Sequence, residues 1–168
     1  MSRIFQLRLT TGELPSDWRN ANITPIFKKG DEHTASNYRP VSLTCVCCKL
    51  LEHIICGHIL KHLENNRILT YLQHGFRSGH SCESQLIITM HDIIKSFDDK
   101  KQTDLVILDF SKAFETVPHK KLLHILNNYG IDGKINKWIE NVLTQRQQRV
   151  IVERESSSSC SVEYGVTQ

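Results

Sequence analysis

The carboxylate of Asp109 is the side chain whose setting most directly suggests chemistry. It follows the apolar run Leu105–Leu108, which predicts a buried strand over Thr103–Leu108. A carboxylate at the end of a buried strand is a common ligand for a divalent cation in metal-dependent enzymes. Aspartate is also a frequent N-cap, and a short helix is predicted from Ser111. Taken alone, the residue favours the capping role, because capping is much commoner than metal binding.

A group of three basic residues offers a second kind of chemistry. Lys28 and Lys29 follow the apolar segment Ile23–Phe27, and Arg39 precedes the segment Val41–Leu43. The two segments predict strands joined by a basic loop, and the three cations converge if the strands pair as a hairpin. Lysine and arginine side chains of this kind grip phosphate oxygens. An ordinary solvated turn is the simpler interpretation of this segment by itself.

A run of cysteines and histidines raises the question of a zinc site. Its members are Cys45, Cys47, Cys48, His53, Cys56, His58 and His62. Structural zinc sites usually combine a Cys-x2–4-Cys knuckle with a second ligand pair across a loop. These residues instead spread over different stripes of one predicted helix, so we predict no zinc ligand among them.

The elements that must position these side chains follow from hydrophobic periodicity and turn residues. The predicted helices run from Val46 to about Asn66, from an N-cap at Ser81 with the core stripe Leu86, Met90, Ile93 and Phe97, from Pro118 to Gly130, and over Ile135–Leu143. Two further strands are predicted over Gln148–Glu153 and Cys160–Val166. The fold class is therefore α+β, rich in helix, with short antiparallel strands.

The composition limits which classes of protein this chain can belong to. The chain has 168 residues, 39% of them hydrophobic, and a net charge of +3. These values are typical of one globular domain or part of a larger one, and they argue against disorder. No apolar run reaches the roughly 18–20 residues of a membrane span. Six cysteines at uneven spacing indicate a reducing compartment, so we expect an intracellular protein, with cytoplasm and nucleus not distinguished.

Four blocks of sequence, taken in order, resemble a known family. They are PIFKKGD with NYRPVSL (25–31 and 37–43), QHGFRSGHS (73–81), LDFSKAFETVPH (108–119) and GVTQ (165–168). From Leu14 onward the chain resembles the reverse transcriptases of non-LTR (LINE-type) retrotransposons, in particular those of the jockey-like group. The resemblance implies a right-hand polymerase fold, with a fingers-like region over about 1–102 and an incomplete palm over about 103–168.

The resemblance also implies an activity and its residues. The reaction is RNA-directed DNA synthesis, in which a dNTP is added to a primer 3′-hydroxyl on an RNA template with two Mg²⁺ ions. Asp109 is implied as the first metal-binding aspartate, with the backbone carbonyl of Phe110 beside it. Three further kinds of contact with the nucleotide are implied. Lys28 or Lys29, with Arg39, would hold the triphosphate, Phe114 would crowd a ribose 2′-hydroxyl, and Gln168 would lie near the nucleotide and template.

The family's second metal motif, a pair of aspartates on a hairpin, is expected after GVTQ, and the sequence ends at Gln168. We therefore expect a fragment with an incomplete two-metal site that is inactive alone. We also expect Leu105–Leu108 to keep an unpaired edge and an uncovered apolar face. The alternatives are a non-catalytic nucleic-acid-binding remnant of a decayed element and, more distantly, a zinc-binding interaction module. Neither a membrane association nor an oligomeric state is indicated.

Overall fold

The computed structural model describes residues 2–167 and contains both helices and sheet, which confirms the α+β class. The helices are α1 (Ser2–Thr11), α2 (Ser16–Arg19), α3 (Val46–Asn65), α4 (Cys82–Asp98), α5 (His119–Asn128) and α6 (Gly133–Thr144). The strands are β1 (Asn20–Phe27), β2 (Tyr38–Leu43), β3 (Gln147–Val152), β4 (Glu155–Ser156) and β5 (Cys160–Ser161). Backbone contacts divide the chain into two compact units. The first runs up to Cys56 and resumes at Lys112, and the second is Gly57–Ser111.

The first unit is built on a mixed sheet. Strands β1 and β2 pair antiparallel with Phe27 opposite Tyr38, which confirms the predicted hairpin. Strand β3 pairs with β1 in parallel, with Val150 opposite Ile23, whereas the sequence predicted antiparallel strands. The sheet order is β2-β1-β3-β4, and β5 also pairs with β3. This sheet brings the two ends of the unit together, since β3 lies more than a hundred residues after β1.

The apolar core of the first unit lies where helices pack near this sheet. Its most buried members include Trp18 on α2, Ile23 on β1, Leu51 on α3 and Trp138 on α6. Leu51 and Ile55 lie one turn apart on α3, and both are buried, as the four-residue spacing of apolar residues in this helix predicts. Each buried aliphatic side chain contributes about 1.5–3 kcal/mol relative to exposure. The core therefore fixes the strands that carry the candidate site.

In the second unit, helix α4 begins as predicted. Ser81 accepts a hydrogen bond from the Ser84 amide at 3.1 Å, and Ser84 accepts one from the Ser81 amide at 3.0 Å, which forms a capping box. The predicted core stripe is wrong for Leu86, Met90 and Phe97, which are exposed. Helical spacing indicates which side chains share a face, but burial also requires an element that packs on that face.

The predicted strand over Thr103–Leu108 is wrong. Residues 101–110 form no helix or strand, and the exposed fraction rises from 62% at Leu105 to 86% at Leu108. A strand needs a neighbour to satisfy its backbone hydrogen bonds, and none of the described residues pairs with this run. The apolar composition of Leu105–Leu108 is typical of a strand. The segment is exposed to solvent, and the sequence likewise predicted an unpaired edge and an uncovered apolar face for it.

The last predicted strand is also shorter than expected. Only Cys160–Ser161 of the predicted Cys160–Val166 joins the sheet, and Tyr164 forms one isolated bridge to Pro118. The chain turns at Gly165, whose φ of +84° is incompatible with a continuing strand. No helix of the described residues is long and apolar enough to cross a membrane.

Candidate nucleotide-binding site

The predicted site residues fall into three places. The first unit holds Lys28, Lys29, Arg39 and Phe114, the second unit holds Asp109 and Phe110, and Gln168 lies outside the described residues.

The basic loop between β1 and β2 is built around Asp31. The Asp31 carboxylate accepts a hydrogen bond from the His33 amide at 3.0 Å and one from the Thr34 hydroxyl at 3.1 Å. The Asn37 amide side chain donates to the Asp31 carbonyl at 2.9 Å. Gly30 has φ +95°, which favours glycine, and a Cβ there would lie 2.7 Å from the Asn37 side-chain nitrogen and displace that side chain. These hydrogen bonds give the loop a defined structure. That structure fixes the backbone positions of Lys28 and Lys29.

The hairpin register places the predicted cations at one end of the sheet. The Lys28 amide donates to the Asn37 carbonyl at 2.9 Å, immediately beyond the last strand pair. Arg39 lies opposite Ile26 on β1. Because side chains alternate along a strand, Arg39 is on the opposite face of the sheet from its neighbours Tyr38 and Pro40. Lys28, Lys29 and Arg39 are all exposed, and they share this end of the hairpin without lining one common surface.

An open groove of about 600 Å³ crosses the face that carries Tyr38 and Pro40. Its apolar lining includes Ile23 and Pro25 of β1 and Val150 of β3. Its ionisable side chains come from two parts of the chain: Lys28, Glu32 and His33 from the hairpin, and Lys112 and Glu115 from the LDFSKAFETVPH block. The groove thus joins two of the four sequence blocks.

Lys112 is a groove residue that the sequence analysis missed. It lies in the turn over 111–116 with φ +53°, and its carbonyl accepts hydrogen bonds from the amides of Glu115 at 3.0 Å and Thr116 at 3.2 Å. The signal available in the sequence was a basic residue three positions after Asp109, inside the LDFSKAFETVPH block. Its approach to the hairpin depends on the turn conformation, which no periodicity reports.

The GVTQ block packs directly on the same turn. The Val166 amide donates to the Phe114 carbonyl at 2.8 Å, and the Gly165 amide donates to the Val117 carbonyl at 2.9 Å. The Gly165 carbonyl accepts a hydrogen bond at 2.7 Å from Nε2 of His119, a buried residue. A carbonyl oxygen can only accept, so this nitrogen carries the proton. Phe114 is therefore held beside the last block, with a ring that remains partly exposed.

A second cavity of about 320 Å³ adjoins the groove, since both are lined by Ile23, Pro40 and Val150. It is also lined by Gly165 and by Arg146, which is only 6% exposed. Burial lowers the pKa of the Arg146 guanidinium, and the nearby negative charge of Glu52 opposes that shift. Arg146 is therefore a buried cation in the same cavity as Gly165 of the GVTQ block. Its burial could not be predicted from the sequence.

The Asp109 carboxylate is exposed and, among the described residues, makes no hydrogen bond or ion pair. No group of three or more His, Cys, Asp or Glu side chains is arranged to hold a metal ion in that part of the chain. The carboxylate of Asp109 and the carbonyl of Phe110 supply the oxygen donors that Mg²⁺ prefers, so these residues fit the ion in type. Of the cysteine and histidine run, Cys48 is buried while Cys56 is exposed.

Comparison with models of protein families shows the family to which the chain belongs. The family model described as reverse transcriptase (RNA-dependent DNA polymerase) matches residues 26–168. The chain belongs to the reverse transcriptase family. All four sequence blocks fall in the matched range or begin one residue before it.

Individual relatives narrow the resemblance within reverse transcriptases. A probable RNA-directed DNA polymerase from transposon BS of Drosophila melanogaster is 34% identical over 73% of this chain. The RNA-directed DNA polymerase from the mobile element jockey of the same species is 27% identical over 100% of the chain. A Pol polyprotein from the retrotransposable element R2 of Popillia japonica is 31% identical over 83%. The predicted jockey-like, non-LTR character is confirmed. The chain spans 14%, 18% and 19% of the lengths of these three relatives.

Proposed function

We propose that this chain is a segment of an RNA-directed DNA polymerase that adds dNTPs to a primer 3′-hydroxyl on an RNA template. The observation that carries the proposal is the groove in the first unit, where Lys28 of the hairpin, Lys112 of the LDFSKAF block and the GVTQ-bound turn come together. Family membership gives the reaction class, and the groove gives the residues through which this chain takes part.

Within that reaction, Lys28 and Lys112 hold the phosphates of the incoming nucleotide. Two ammonium groups on opposite segments of the groove can each bind phosphate oxygens, and the carboxylates of Glu32 and Glu115 balance their charge while the nucleotide is absent. Positioned cations also stabilise the charge that develops on the transferred phosphate. Lys29 and Arg39, exposed at the same end of the hairpin but outside the groove lining, contact the phosphate backbone of the template and primer.

Phe114 acts as the sugar selector and Asp109 as a metal ligand. The Phe114 carbonyl accepts a hydrogen bond from the Val166 amide, which fixes the backbone so that the ring can exclude a 2′-hydroxyl by shape. The resemblance to non-LTR reverse transcriptases assigns Gln168, which lies outside the described residues, a role near the nucleotide and template. Asp109 and the Phe110 carbonyl would hold Mg²⁺, which when bound activates the primer hydroxyl and stabilises the leaving pyrophosphate. In this assignment residues 1–102 correspond to fingers and 103–168 to the beginning of the palm.

The groove assignment is tested by nucleotide binding to the full chain. Calorimetric titration with dTTP and Mg²⁺ should give an affinity that falls about tenfold in Lys28→Ala and in Lys112→Ala, since each removes one phosphate contact of about 1.4 kcal/mol. Lys134→Ala is the matched control, because this lysine is exposed on α6 and outside the groove.

Equal affinities for all three variants would contradict the groove as the triphosphate site. Loss of nucleic-acid binding in Lys29→Ala and Arg39→Ala with no dTTP binding by any form would instead favour the alternative, a non-catalytic nucleic-acid-binding remnant.

A further inference from the structure

Two cysteines three positions apart stand at the start of helix α3. The Cys45 carbonyl accepts the hydrogen bond of the Lys49 amide at 3.0 Å, so Cys45 is the residue that opens the helix. Cys48 lies in the first turn. Cα atoms three residues apart in a helix are separated by about 5 Å, within the range of about 4.4–6.8 Å that a disulfide spans. This Cα separation is compatible with a disulfide between the two residues.

The two thiols have different surroundings. Cys48 is 1% exposed, and its Sγ donates a hydrogen bond to Oε1 of Glu52 at 3.3 Å. Cys45 is only partly buried. Burial raises the pKa of the Cys48 thiol, and the charges of Glu52 and Cys45 raise it further. Cys48 is therefore a protonated thiol at neutral pH that needs a base to become a nucleophile, whereas Cys45 can be reached from solvent.

Glu52 is placed to be that base. It lies one helical turn after Cys48 and already accepts the thiol hydrogen bond. The buried guanidinium of Arg146 lies close enough that the charge of Glu52 raises its pKa. The site thus combines an accessible cysteine at a helix N-terminus, a buried cysteine three residues later and a carboxylate that is hydrogen-bonded to the buried thiol. This combination fits a dithiol that exchanges with a disulfide.

We propose that Cys45 and Cys48 form a thiol–disulfide exchange site, in which Cys45 reacts with a small-molecule disulfide such as glutathione disulfide and Glu52 deprotonates Cys48. In the first step the Cys45 thiolate attacks one sulfur of the disulfide. A Cys45–glutathione bond forms, the original S–S bond breaks, and one glutathione leaves as a thiolate that takes a proton from water.

In the second step the Cys48 sulfur attacks the Cys45 sulfur while its proton passes to Glu52. The Cys45–Cys48 bond forms, the mixed disulfide breaks, and the second glutathione leaves and recovers the proton. The two cysteines are oxidised and one glutathione disulfide is reduced to two thiols. The exchange is reversible, so the ratio of glutathione disulfide to glutathione sets the oxidised fraction.

The experiment uses the full chain, reduced and then incubated with glutathione disulfide. Samples are quenched in acid, alkylated under denaturing conditions and digested with trypsin. The peptide 30–49 contains Cys45, Cys47 and Cys48, because trypsin does not cleave between Arg39 and Pro40. Formation of the Cys45–Cys48 disulfide, called closure below, leaves one alkyl group on this peptide in place of three. Cys47→Ser is the matched control, since it removes the intervening thiol and leaves the proposed pair.

We expect Cys47→Ser to close like the parent chain, and Cys45→Ser and Cys48→Ser not to close. In the Cys47→Ser background, Glu52→Gln should slow closure by at least about tenfold and let the Cys45 mixed disulfide accumulate. The folded chain should also close faster than the same chain in guanidinium, a comparison that does not depend on how Glu52→Gln folds.

Closure through Cys47, a product that stays as mixed disulfide in the parent chain, or equal rates in guanidinium would overturn the proposal. A Glu52→Gln variant that folds and closes at the parent rate would overturn the role of Glu52.

Discussion

Substitution of Gly165 by alanine tests the packing that joins the GVTQ block to the turn of the LDFSKAF block. Gly165 has φ +84°, and a Cβ there would lie 2.8 Å from the Glu115 carbonyl oxygen and 3.0 Å from its Cα. The left-handed backbone alone costs an alanine about 1–2 kcal/mol. The clash is with backbone, so the turn must move, and overpacking of this kind costs about 1–3 kcal/mol more. We expect a total loss of about 2–5 kcal/mol in the free energy of unfolding.

The assay is urea unfolding of the full chain with two matched glycine controls. Gly133 has φ +57° but nothing within 4 Å of a Cβ, so Gly133→Ala should cost only the backbone term of about 1–2 kcal/mol. Gly57 lies inside α3 with open space around it, so Gly57→Ala should stabilise the chain by about 0.5–1 kcal/mol. If Gly165→Ala costs no more than Gly133→Ala, the close approach to Glu115 does not exist and the groove geometry is wrong.

Two further predictions follow from the fold and the site. In a complete reverse transcriptase assembled around this segment, Phe114→Ala should raise the incorporation of rNTPs relative to dNTPs by about 10-fold or more in single-nucleotide extension, because the site loses its steric barrier to a 2′-hydroxyl; an unchanged ratio would show that Phe114 only packs. Ile107 is 82% exposed, so Ile107→Lys should change the unfolding free energy by less than about 0.5 kcal/mol and reduce self-association in sedimentation experiments, whereas a large destabilisation would mean that the apolar run is buried.

Local patterns predicted the parts of this molecule that depend on local interactions. The β1–β2 hairpin follows from two apolar segments around a polar loop, and the start of α4 follows from the hydroxyl of Ser81. Both are decided by residues within a few positions of one another, so one sequence suffices to find them.

The parts that depend on distant neighbours were not predictable. The apolar run Leu105–Leu108 has strand composition, but a strand exists only when another segment pairs with it. The entry of Lys112 into the groove requires a turn with positive φ together with a sheet formed from residues far away in the chain. The four sequence blocks indicated the region of the candidate site, whereas the groove lining and the burial of Arg146 depend on the three-dimensional fold.

The central claim, that this segment takes part in metal-dependent nucleotide addition, is tested most directly by primer extension with Asp109→Asn in a complete reverse transcriptase assembled around it. Asp109 is exposed and makes no hydrogen bond within the described part of the chain, so the variant should fold like the parent. Loss of an anionic metal ligand should reduce extension by more than the roughly 10²–10³-fold typical of losing one electrostatic stabiliser. A folded Asp109→Asn enzyme whose extension rate stays within about tenfold of the parent would contradict the claim.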